Sequence, residues 1–172
     1  MSRKGILTVA LLFLVAFLLL HFATRGYREV EALQSMEKAM AAVRRDFPEA
    51  QPVPAPQLAA WIGEGEGVVL IDARAPEEFA VSRIPGARRE TAIKGAAKMA
   101  AGAKRVVVYD AVGFYSAEVA DALGAAGSGG TFYLEGGIFQ WANEGRPLVD
   151  ADGSPTTKVH PYNKLWGRLL KR

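Results

Sequence analysis

Three short, wholly apolar runs decide what this chain can fold into. Val68-Val69-Leu70-Ile71 ends at Asp72, Val106-Val107-Val108-Tyr109 follows Arg105 and ends at Asp110, and Thr131-Phe132-Tyr133-Leu134 is closed by Gly136-Gly137. None alternates apolar with polar residues, so each reads as a strand covered on both faces. Helical stretches separate them: 58–62, a start at Pro76-Glu77-Glu78-Phe79-Ala80, the alanine-rich 92–101, 116–124 with Ser116 as its N-cap, and 138–143. Apolar strands alternating with helices predict an α/β fold, a parallel sheet of four to five strands with helices on both faces. Right-handed crossovers place the carboxyl ends of the strands on one rim, where sites of such folds lie.

Composition removes several chemistries. The 172 residues contain no cysteine, so no disulfide, zinc-thiolate site, iron–sulfur cluster, persulfide or cysteine nucleophile is available. Two histidines, His21 and His160, leave little room for a histidine metal cluster or a Ser-His-Asp triad. Neither metal nor cofactor is expected. The net charge of +3 is unevenly spread: residues 1–24 carry +2, residues 154–172 carry +5, and residues 25–153 carry −4. A nucleic-acid-binding domain carries its own basic face, and the acidic middle argues against one.

Residues 1–4 form a basic tail, and residues 5–23, GILTVALLFLVAFLLLHFA, hold no charged side chain. At helical rise they cover about 28 Å, the thickness of a bilayer core. The run is longer than a signal-peptide core, and His21 spoils the best cleavage site, after Ala23. An uncleaved single-pass anchor in the cell membrane, in contact with lipid, is the expectation. The basic N-terminal tail favours an extracytoplasmic, periplasmic domain, while the basic C-terminus pulls mildly the other way. Residues 24–47 read as a helical stalk, with Val30, Leu33, Met36, Met40, Val43 and Phe47 in a stripe over 27–47. Such a stripe packs on the domain, extends the membrane helix or, as the functional alternative, makes a homodimer. Residues 48–56, with Pro48, Pro52, Pro54 and Pro56 in or beside the run, read as an extended linker. The domain proper is placed at 57–150 and a basic amphipathic tail at 151–172.

Three segments together resemble the rhodanese-like (sulfurtransferase) family over about residues 55–149. The first, LIDARAPEEFAVSRIPGA at 70–87, supplies Asp72, Arg74, Pro85 and Gly86, with Arg83 where the family usually has histidine. The second, VVVYDAVGFYSAEVADAL at 106–123, is similar to the active-site strand, loop and helix. The third, YLEGGIFQWANEGRPLV at 133–149, contains Gly136, Gly137 and Trp141. The resemblance implies structural roles for Asp72, Arg74 and Trp141.

In active members of that family the loop amides and the following helix N-terminus face a cysteine sulfur, lowering its pKa and holding an anionic persulfide. The resemblance places Asp110 at that position, followed by Ala111, Val112, Gly113, Phe114, Tyr115 and Ser116. The Asp110 carboxylate is expected to accept the loop N–H groups itself. No catalytic residue is expected, because a carboxylate nucleophile needs a partner acid or a metal and neither is indicated.

The tail, SPTTKVHPYNKLWGRLLKR, predicts a helix capped by Asn163, with Leu165, Trp166, Leu169 and Leu170 on one face and Lys164, Arg168, Lys171 and Arg172 on the other. It either docks back on the domain or meets a membrane interface or partner. The leading expectation is a membrane-anchored, non-catalytic module, with loop 110–116 as a recognition surface for a protein partner or small ligand. The alternatives are a sulfurtransferase component whose partner supplies the cysteine, and an oligomerising scaffold through 27–47.

Overall fold

The computed structural model describes residues 14–17, 32–65, 67–128 and 130–171. Five strands form one parallel sheet: β1 (Pro52–Val53), β2 (Val68–Asp72), β3 (Arg88–Arg89), β4 (Arg105–Tyr109) and β5 (Thr131–Leu134), in the order β1-β5-β4-β2-β3. A small antiparallel pair, β6 (Leu148–Val149) and β7 (Pro155–Thr156), stands apart from it. The helices are α1 (Met36–Asp46), α2 (Ala55–Gly63), α3 (Pro76–Val81), α4 (Ile93–Ala100), α5 (Phe114–Ala125) and α6 (Gly137–Asn143). A 3-10 turn covers Trp166–Leu169.

The side-chain alternation along β4 sorts the helices into layers. Val106 and Val108 pack with Ile71, Ala96 and Ala100 of α4, and Val119 and Leu123 of α5. Val107 and Tyr109 point the other way, into a cluster with Leu58 of α2 and Ile138, Phe139 and Trp141 of α6. Both faces of the sheet are thus covered, as wholly apolar strands require. The carboxyl ends of β2 and β4 lie side by side, with Asp72 in register with Tyr109. The sheet reverses its direction of growth between these strands, and the loops after them flank that point.

The segment before the sheet differs from the sequence expectation. The predicted linker 48–56 is not a free spacer: Pro52 and Val53 pair with Tyr133 and Leu134 as the edge strand, and Ala55 begins α2. An edge strand bonds on one side only, so proline is tolerated there. The described part of the predicted stalk packs on the domain, the first of the arrangements that its apolar stripe allowed. Ser35 caps α1 by accepting the Lys38 N–H, and the helix buries Ala39, Ala42 and Val43. Val43 packs with Ala117 and Ala120 of α5 and with Tyr133. No helix among the described residues is long and apolar enough to cross a membrane. The apolar run 5–23 lies outside the described residues except for 14–17, which are helical, as do residues 24–31 of the predicted stalk.

Candidate functional site

The loop after β4 turns round one carboxylate. Asp110 Oδ1 accepts the Gly113 N–H at 2.5 Å and the Ser116 hydroxyl at 3.0 Å, and Oδ2 accepts the Tyr115 N–H at 3.0 Å. Gly113 makes the turn possible with φ of 118°, in a region that L side chains rarely adopt. Helix α5 therefore starts at Phe114, and Gly113, not Ser116, is its N-cap residue. Ser116 lies in the first turn, and the acceptor for the exposed helix-start donors is Asp110, three residues before Gly113. Burial pushes the Asp110 carboxyl above its ordinary range, and the hydrogen bonds from Gly113, Tyr115 and Ser116 pull against that rise.

The double glycine braces the back of this loop. Ile138 N–H donates to the Asp110 carbonyl at 3.0 Å and Phe139 N–H to the Ala111 carbonyl at 3.1 Å. The N-terminal amides of α6 are thus spent on the loop backbone. Gly137 has φ of 57°, and a Cβ there would stand 2.5 Å from both carbonyl oxygens. Only glycine allows so close an approach.

Helix α1 closes the front. A Cβ placed on Gly113 would meet Val43 Cγ2 at 3.6 Å, and one on Gly136 would meet Met40 Sδ at 3.1 Å. Arg44 bonds Glu135 beside them. From the other side Phe114 meets Trp166 of the C-terminal turn edge-on, 5.8 Å between ring centres. Ala111, Val112, Gly113 and Ser116 are buried, Asp110 and Phe114 are partly buried, and Tyr115 is exposed, its hydroxyl donating to the Thr91 carbonyl. Helix α1 and the tail lie against this loop, and Tyr115 is its exposed residue.

Asp72 and Arg74 form a separate unit. Their side chains pair at 2.6 and 2.9 Å while both are buried, and Arg74 Nη2 also donates to the Ser82 carbonyl. The pair ties β2 to the end of α3 rather than bonding the Asp110 loop. Beside it Glu78 is buried and its Oε1 accepts no hydrogen bond among the described residues, and Arg74 Nη1 and Ser82 Oγ likewise make none. Burial raises the Glu78 carboxyl, opposed by the Ala75 N–H that it accepts and by Arg74 and His160. His160 is partly buried, accepts the Tyr162 N–H and stands 4.0 Å from Glu78. Tyr109, pushed well up by burial, accepts the Ile84 N–H through its hydroxyl and so fixes the turn at Pro85 and Gly86, whose φ is 81°. Trp141 is buried and donates Nε1–H to the Pro147 carbonyl. These residues frame the loop without entering it. Among the described residues no group of three or more histidines, cysteines, aspartates or glutamates is placed to hold a metal ion.

The family model described as "Rhodanese-like domain" matches residues 54–144. The chain belongs to the rhodanese-like family. Comparison with curated proteins gave no match. Among solved structures, this rhodanese-like chain is similar to a rhodanese-related protein from Thermoplasma volcanium, with 25% identity, TM-score 0.50, and 58% of this chain and 97% of that one covered. It is also similar to the BH2092 protein from Bacillus halodurans, at 21% identity and TM-score 0.55, covering 70% and 90%. A thiosulfate sulfurtransferase from Pseudomonas aeruginosa shares the fold at 20% identity and TM-score 0.57, covering 74% of this chain and 25% of that enzyme. The rhodanese-like domain thus has its expected frame, and sulfurtransferase-related proteins stand among its structural neighbours.

Sequence reasoning placed Met40 and Val43 on an apolar stripe but did not connect them to the loop. Glu78 was marked only as part of a helix start, and Ser82 and the Phe114–Trp166 contact carried no signal of their own, because each contact depends on which segments the fold brings together.

Proposed function

We propose that this chain is a membrane-anchored, non-catalytic rhodanese-like module that serves binding or regulation. The observation that carries the reading is the Asp110 carboxylate. It accepts two loop N–H groups and a hydroxyl at the position that the resemblance assigns to the family's nucleophile. An internal anion satisfies the donors that would otherwise hold an anionic sulfur, and it repels an external one. The absence of any cysteine supports the same conclusion. The covered loop speaks against docking of a partner's cysteine there, which leaves the face around Tyr115 and the neighbouring exposed Ile93 as the binding surface. Anchoring rests on the uncharged run 5–23.

The full chain in detergent is expected to show no sulfur transfer from thiosulfate to cyanide above the rate without protein. Turnover proportional to protein concentration would sink the non-catalytic reading. Membranes carrying the chain are expected to retain it through alkaline carbonate extraction, and release into the supernatant would remove the anchor.

A further inference from the structure

The C-terminal segment has two faces with different jobs. Its inner face seats it on the domain: Leu169 is buried, Trp166 packs on Phe114, and the Asn143 side chain donates to the Leu169 carbonyl and accepts the Lys171 N–H. Its outer face is apolar and basic. Tyr162 is 57% exposed and Leu165 51%, more than any other large apolar side chain described in 32–171. Lys158, Lys164, Arg168 and Lys171 are exposed in the same segment, Lys164 and Arg168 on one groove, and no ion pair among the described residues engages any of the four. Residues 154–172 contain no acid, and the nearest in sequence, Asp150 and Asp152, lie at the β6–β7 turn, where Asp150 accepts the Asp152 and Ser154 N–H groups.

The backbone holds this face outward. Tyr162 has φ of 59°, alone in the left-handed region among the described non-glycine residues, and its N–H is held by His160. Asn163 accepts the Leu165 and Trp166 N–H groups and so fixes the turn that displays Leu165. Between Lys164 and Arg168 lies an open groove of about 550 Å³ whose apolar lining comes from Pro161, Gly167 and Leu170.

We propose that this face docks on the anionic phospholipid surface of the bilayer that holds residues 5–23, an inference that rests on the anchoring reading above. The cations meet lipid phosphates, one of them in the groove between Lys164 and Arg168, and Tyr162 and Leu165 enter the interfacial layer. An aromatic and an aliphatic tip among lysines and arginines suit a headgroup boundary. The chain length outside the domain is compatible: residues 24–31 span at most about 29 Å at full extension, which keeps the start of the domain within that distance of the bilayer. The acidic balance of residues 25–153 turns the rest of the molecule away from anionic lipid.

The absence of native cysteine makes a single label clean. The full chain carrying L165C with an environment-sensitive fluorophore is reconstituted into vesicles of phosphatidylcholine, with or without one third phosphatidylglycerol, containing a headgroup-level nitroxide quencher. K94C, exposed on α4, is the reference label. Quenching at position 165 is expected to exceed that at 94 roughly threefold in the anionic vesicles, and to fall to the reference level without phosphatidylglycerol or in the K164E/R168E background. Equal quenching at the two positions in anionic vesicles overturns the docking, as does quenching at 165 that survives the charge reversal. Flotation of the same samples separates the two readings: chain that fails to float with vesicles overturns the anchor, whereas chain that floats without the 165 signal overturns the docking alone.

Discussion

Asp110 holds the helix-start donors of α5 from a distance, so a change there acts on the loop before it acts on anything else. D110A removes the acceptor of the Gly113 and Tyr115 N–H groups and leaves the buried Ser116 hydroxyl only the Gly113 carbonyl. A loss of about 2–4 kcal/mol is expected in urea unfolding, with D110N losing less because an amide oxygen still accepts. G137A should do at least as much damage, about 3 kcal/mol or more, because its Cβ meets backbone oxygens that cannot move without releasing α6. Glu78 gives a prediction with a sign. Its carboxyl is raised in the folded chain, so the folded state holds that proton more tightly than the unfolded state does. Its contribution is full below the ordinary glutamate range, near pH 4, and is lost as pH rises through the raised value. E78Q should therefore flatten the decline in melting temperature between mildly acidic and neutral pH, and an unchanged profile would exclude Glu78 as its source. Asp72 and Arg74 were readable in the sequence as residues with structural roles, but neither their pairing with each other nor the attachment to Ser82 was. That contact depends on where α3 ends.

Elements with a strong apolar signature could be read from the sequence. β2, β4 and β5 are continuous runs, and their helices follow at the spacing a parallel sheet needs. β1 could not, because two residues among prolines carry no strand pattern and are recruited by the free edge of β5. The start of α5 was misplaced by three residues, since a glycine with positive φ and a remote aspartate do the work of a local cap. The tail forms a 3-10 turn rather than an α-helix, and glycine suits position 167 because a Cβ there would strike Pro161 at 2.6 Å. Two predictions belong at this scale. V43A should cost about 1–2 kcal/mol and speed hydrogen exchange of the Val112 and Gly113 amides, because α1 is the cover of that loop. N143A should free the tail without unfolding the sheet, seen as faster tryptic cleavage after Lys164 and Arg168 with a nearly unchanged melting temperature.

Taken whole, the molecule has an acidic centre and basic ends, and its carboxyl-end loop is enclosed by segments from before and after the matched region. The family frame could be read from residues 70–149, whereas the closure could not, since it requires 36–46 and 166–169 to meet the same loop from opposite sides. The short edge strand carries a practical consequence for anyone producing the protein. A fragment cut at residue 54, where the family match begins, would lose Pro52 and Val53 and leave the backbone of β5 open along its length. An uncapped strand recruits other chains. It would also strip Met40 and Val43 from the loop they cover. Such a fragment would capture partners through surfaces that the intact chain keeps internal, and interaction screens built on it would report the cut rather than the protein.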